Sequence, residues 1–153
     1  MVARAIRESG VNPSQIVLEI TETELADDID SALRTLSSLQ GLGVQLAIDD
    51  FGTGYSSLQY LRQVPSDIIK IAKPFVDGVR VTDSEDYRVA NAIVHLGEAF
   101  GLQTLAEGIE DREQYERMRE LGCELGQGYY FSRPLPAEEV TPLLTFEHEA
   151  LAA

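Results

Sequence analysis

Apolar and polar positions along the chain follow two periods in turn. Short runs rich in β-branched residues, "QIVLEI", "VQLAIDD", "DIIKIA", "QTLAEG" and "ELGQGYYF", read as strands, the earlier ones alternating with period two. Between them lie stretches of helical period: Ile29, Leu33, Leu36 and Leu39, then "SSLQYLRQV", then Ala90, Ile93, Val94, Gly97 and Phe100, then Tyr115 and Met118. A final helix is expected from about Ala137 onward, after "PLP". Gly41 and Gly101 stand where helices should end, and Asp111 followed by Gln114 matches a capping box. Five strands alternating with helices predict an α/β fold with a parallel sheet.

An open doubly wound sheet and a barrel both fit that rhythm. Two features favour the barrel: no glycine-rich phosphate loop follows the first strand, and a polar residue closes every strand. Those residues are Glu19, Asp49 with Asp50, Lys70, Glu107 and Gln127. In "QIVLEITETE" the alternation puts Val17, Glu19 and Thr21 on one face, with Leu18 and Ile20 on the other. Gln103, Leu105 and Glu107 share a face, as do Ile68, Lys70 and Ala72. A carboxylate on the core side of a parallel strand costs several kcal/mol unless it is paired or bound to a metal.

The pair Asp49 and Asp50 sharpens the point. In a continuing strand they diverge, but Gly52 and Gly54 allow a sharp turn directly after them, so that both carboxylates face one place. Like charges held so close call for a divalent cation, and a donor set of oxygens without histidine or thiolate selects Mg²⁺ or Mn²⁺ over zinc. Two such ions suit displacement at phosphorus. Plainer readings stand beside this one: a helix N-cap and turn at Asp49 and Asp50, solvent-facing Glu19 and Glu22 at an edge, Lys70 as a structural ion-pair partner, Gln127 as a turn cap. All five strand ends would then be polar by coincidence.

Composition narrows the setting. The 153 residues, 44% hydrophobic and 25% charged, suit one globular domain. With 26 acidic against 12 basic residues the net charge is −14, which repels a nucleic-acid polymer or an anionic membrane surface. The lone Cys123 cannot form an internal disulfide, and no apolar run of membrane length occurs, so a cytoplasmic setting is expected. Cys123 reads as a packed apolar group rather than a nucleophile.

Taken in order, "LEITETE", "AIDDFGTGYSSLQYL", "IIKIAKPFV", "LAEGIE" and "GCELGQGYYFSRPLP" resemble the C-terminal part of the EAL-type cyclic di-GMP phosphodiesterase domain. The resemblance spans nearly the whole chain. It implies a modified (β/α)8 TIM-type barrel with one antiparallel strand, of which residues 1–153 supply the last five βα units. It also implies metal-dependent hydrolysis of cyclic di-GMP to linear pGpG. By resemblance Glu19, Asp49, Asp50 and Glu107 are metal ligands for two Mg²⁺ or Mn²⁺ ions, with Asp49 bridging. Lys70 orients the attacking water, Gln127 positions water or metal, and Glu22 steadies the loop from Phe51 to Ser57. Glu110, Arg133 and Pro134 line the substrate pocket. A homodimer through the loop and helix after Asp50 is implied, as are parent proteins with GGDEF or sensory domains.

Two departures from the family pattern matter. The Glu-Ala-Leu signature and a later asparagine ligand belong upstream of the first strand seen here, and Ala72 stands where the family has an aspartate. A barrel of this type takes about 250 residues, so roughly 100 residues and about three strands are expected beyond this chain. Open sheet edges follow, and Met1 reads as an internal methionine of a longer gene. The chain alone is expected to hydrolyse little cyclic di-GMP. A degenerate member that binds the nucleotide or a partner without turnover is the alternative. A Schiff-base role for Lys70 is disfavoured, because the surrounding carboxylates hold the amine protonated.

Overall fold

A computed structural model describes residues 1–21, 29–54 and 61–140. Helix α1 (Val2–Ser9) and a 3₁₀ turn (Pro13–Gln15) lead into β1 (Val17–Thr21). There follow α2 (Ile29–Gln40), β2 (Gln45–Phe51), β3 (Ile68–Ile71), α3 (Lys73–Gly78), α4 (Glu85–Phe100), β4 (Gln103–Ala106), α5 (Arg112–Glu120) and β5 (Leu125–Gly126). The segment "SSLQYLRQV" falls mostly outside the described residues, and the final helix is described only as far as Val140.

The five strands pair in the order β1-β2-β3-β4-β5, all parallel. That order decides between the two architectures left open above. A doubly wound sheet reverses its strand order at a switch point, whereas right-handed crossovers that never reverse lay every helix on one side, as in a barrel. The observed order never reverses. The fold is five consecutive βα units of a TIM-type barrel.

The two faces of the sheet differ accordingly. Leu46, Ile48, Ile69, Ile71 and Ala106 are buried in one core with Leu36, Val76, Ala90, Ile93, Val94 and Met118 of the helices; Leu18 and Ile20 pack at its edge. In-register partners share the opposite face: Glu19 with Ala47, Thr21 with Asp49, Ile68 with Gln103, Lys70 with Leu105, Leu105 with Leu125. There Ala47 and Ile68 are buried at the centre but stand outside the helix-packed core, while Val17 and Leu125 at the two edges are 41% and 36% exposed.

Helix boundaries follow local chemistry. Ser84 caps α4 by accepting from the Tyr87 N–H at 3.0 Å, Glu85 and Asp86 complement the helix dipole in its first turn, and Gly101 closes it at φ 68°. The buried stripe Ala90, Ile93, Val94 and Gly97 lies against β3 and β4. Gly97 is needed for that approach: a Cβ there would stand 2.5 Å from the Thr104 γ-methyl. The capping box at α5 is present, with the Gln114 N–H donating to Asp111 Oδ1 at 3.0 Å. Among the described residues no helix is long and apolar enough to cross a membrane.

Candidate metal centre

The strand ends converge on Lys70. Its side chain is 3% exposed, and Nζ lies 2.7 Å from Glu19 Oε1, 2.9 Å from Asp49 Oδ1 and 2.6 Å from Glu107 Oε1. Burial works hardest against the charged amine, yet the hydrogen bonds it donates to Glu107, Glu19 and Asp49 outweigh it and hold the Lys70 pKa above the ordinary lysine range. The ammonium is therefore fixed in its charged form. As an ion-pair partner Lys70 thus serves three carboxylates, on β1, on β2 and just past the end of β4.

Asp49 and Asp50 come together by a route that differs from the expected glycine turn. Strand β2 continues through Phe51, and its register against β3 jumps from Ile48↔Ile69 to Phe51↔Ile71, so Asp49 and Asp50 together oppose Lys70 in a β-bulge. Asp50 itself adopts φ 53°, a left-handed conformation uncommon outside glycine, asparagine and aspartate. Gly52 follows at φ 92°, and Thr53 closes the turn with N–H and hydroxyl bonds of 3.2 and 2.8 Å to the Asp50 carbonyl. The extra residue re-aims the second carboxylate; the glycine completes the turn rather than making it.

Carboxylate oxygens of Asp49, Asp50 and Glu107 all lie within 4.8 Å of one another. Burial raises the Glu107 pKa and the charges of Asp49 and Asp50 raise it further, against the opposing pull of Lys70. Gln127, just past β5, donates from Nε2 to Glu107 Oε1 at 2.9 Å. Contacts with Lys70 and the Asp50 N–H converge on Asp49 Oδ1, and those with Lys70 and Gln127 on Glu107 Oε1. Four carboxylates around one ammonium leave three negative charges uncompensated among these five side chains, an all-oxygen donor set that fits a hard divalent cation.

The remaining candidates divide. Among the described residues Glu19 meets the cluster through Lys70, and it is 47% exposed on the edge strand β1, so its solvent-facing reading is half correct. Glu110 turns away to Lys73 Nζ at 3.1 Å. Arg133 stacks its guanidinium 5.0 Å above the Tyr129 ring, and Pro134 is exposed beside it. Glu22 lies outside the described residues. Ala72, at the end of β3, is fully buried and precedes α3 without a side-chain cap. Cys123 donates to the carbonyls of Thr104 and Leu125 at 3.5 and 3.3 Å, and burial raises its pKa, as a packed thiol requires. Periodicity missed the buried amide of Gln114 as a site neighbour, although its capping-box spacing was visible.

A model of the EAL domain family matches residues 1–134. The chain is 41% identical over 139 residues to the bifunctional diguanylate cyclase/cyclic di-GMP phosphodiesterase MucR of Pseudomonas aeruginosa, covering 91% of this chain and 20% of that protein. It superposes on the PaMucR phosphodiesterase in complex with c-di-GMP with a TM-score of 0.86 at 41% identity, covering 91% of this chain and 61% of that one. A manganese/cy-diGMP complex of Klebsiella pneumoniae BlrP1 is similar at a TM-score of 0.80 and 33% identity, with 87% of this chain and 34% of that one covered. The chain thus spans about a fifth of the length of the curated relative.

Proposed function

The chain belongs to the EAL domain family, and on that premise we propose that it forms part of a phosphodiesterase that hydrolyses cyclic di-GMP to linear pGpG with Mg²⁺ or Mn²⁺, residues 1–153 being a partial domain of that type. The observation that carries the reading is the convergence of Asp49, Asp50 and Glu107 beside a buried, charged Lys70. Divalent ions bound there supply charge stabilisation and polarisation at a phosphodiester.

The chain's own residues divide the remaining work. Asp49, Asp50, Glu107 and Glu19 offer oxygens to two ions. Lys70 keeps a permanent positive charge at the rim of the cluster, where it faces the developing negative charge of the phosphodiester and orients the attacking water. Gln127 donates its amide N–H to Oε1 of Glu107, a hydrogen bond that would orient this carboxylate toward a bound cation. Glu22 steadies the loop after Asp50. Glu110, Arg133 and Pro134 border the nucleotide pocket, and a homodimer forms through the loop and helix after Asp50, in parents that carry GGDEF or sensory domains.

A second reading rests on Ala72: a buried methyl stands on the face of Lys70, two residues beyond it, and adds no ligand. This fits a member that binds the nucleotide without turnover. Incubation with cyclic di-GMP and Mn²⁺, followed by separation of linear product, distinguishes the two. Slow formation of pGpG, well below that of full-length relatives such as MucR, is expected of this chain. Saturable calorimetric binding with no product at any enzyme concentration would favour the sensor.

A further inference from the structure

The loop that carries Glu107 is bolted to α3 from behind. After Glu107 the chain turns at Gly108 (φ 68°), where a Cβ would stand 2.7 Å from both Cγ and Cδ of Lys73. The Lys73 stem therefore packs directly on the backbone next to Glu107. Its ammonium is held by Asp77 at 2.8 and 3.0 Å and by Glu110 at 3.1 Å. Asp77 in turn accepts from Gln114 Nε2 at 2.9 Å, while Gln114 Oε1 accepts the Glu110 N–H at 2.7 Å and the Asp111 N–H at 3.3 Å.

Gln114 is 0% exposed, so an amide is the only uncharged side chain of its length able to serve both sides at once. Its oxygen faces two donors in the loop and its nitrogen faces a carboxylate on α3. A glutamate there would set a buried negative charge against the half-exposed Asp77 carboxylate.

We propose that Gln114 is a positioning residue for Glu107: through Asp77 and Lys73 it clamps the loop 107–111 and so fixes the carboxylate that the ion meets. The clamp does not touch the centre; it determines where Glu107 stands. This inference rests on the metal reading above for its functional consequence and on geometry alone for its structural one.

Two measurements on the full chain test it. Gln114→Glu should weaken Mn²⁺ uptake, followed by the resonance of free Mn²⁺, by about tenfold, the low end of the range for groups bonded directly to a metal ligand, because Gln114 reaches Glu107 only through the loop. Adding Asp77→Asn to the same chain should restore most of that affinity, because the new amide on α3 donates to the new carboxylate. A purely structural Gln114 would lower the melting temperature in Gln114→Glu and leave Mn²⁺ uptake by the folded protein unchanged, which overturns the proposal. Crystal structures of the wild type and Gln114→Glu supply the second readout: Glu107 should lose its 2.6 Å contact with Lys70. Should the wild type take up no Mn²⁺, the metal reading fails, and retention of that contact in the variant then overturns the clamp separately.

Discussion

Replacing Lys70 by methionine leaves Glu19, Asp49 and Glu107 facing one another without their shared cation, in a place where Lys70 itself is only 2% exposed. Removing one partner of a buried pair costs about 3 kcal/mol at the low end of the usual range, and the low end applies because Glu19 is half-exposed. Urea unfolding of Lys70→Met in chelator should show that loss, and Mn²⁺ should recover part of it; an unchanged midpoint would contradict the role of Lys70 as counter-charge. Asp111 makes a pH prediction. The Gln114 N–H and the Arg80 guanidinium hold its pKa below the ordinary aspartate value. A depressed folded pKa contributes stability that is complete above the unfolded value, about 3.9, and is lost as pH falls through the folded one. Asp111→Asn keeps the capping acceptor but loses the charge. Its urea midpoint should lie below that of the wild type at pH 7, with the gap closing below about pH 4; a gap independent of pH would contradict the assignment.

Elements were legible where their chemistry is local. Helix α4 announced itself through the stripe from Ala90 to Gly97 and the closing Gly101, which do in the structure what their positions imply, whereas Phe100 at the end of that stripe is 38% exposed. The bulge in β2 was not legible, because it arises from pairing with β3: nothing within "AIDDFGTG" distinguishes a strand that turns after Asp50 from one that takes an extra residue and continues. The Gln114 clamp escaped for the same reason, since Asp77 stands 37 residues away and meets it only once α3 and α5 are packed. Packing also decides the sign of a substitution at Gly97. Alanine in a helix gains up to about 1 kcal/mol over glycine, but the overlap with the buried Thr104 methyl costs about 1–3 kcal/mol. Gly97→Ala should therefore destabilise by about 1 kcal/mol in chemical unfolding, and Thr104→Ser, which removes that methyl, should cancel most of the effect. A stabilised Gly97→Ala would show that α4 can move away from the sheet.

At the scale of the whole molecule, strand order is the feature that periodicity left undecided and the structure supplies. Five parallel strands in sequence order gather Glu19, Asp49, Asp50, Lys70, Glu107 and Gln127 along one rim, because each strand enters from the same end and none is inserted between earlier ones. Their convergence follows from that order together with the shared face set by the register. The acidity of the chain raises a competing explanation for any cation uptake, since a net charge of −14 attracts divalent ions to the whole surface. The double variant Asp49→Asn with Asp50→Asn separates the two: it removes only two of those 14 net charges but takes two carboxylates from the cluster. Titration of Mn²⁺ into the wild type and this variant at physiological ionic strength is the most direct measurement. A saturable site in the wild type that is lost in the variant is predicted; equal uptake by both would contradict a metal centre at these strand ends.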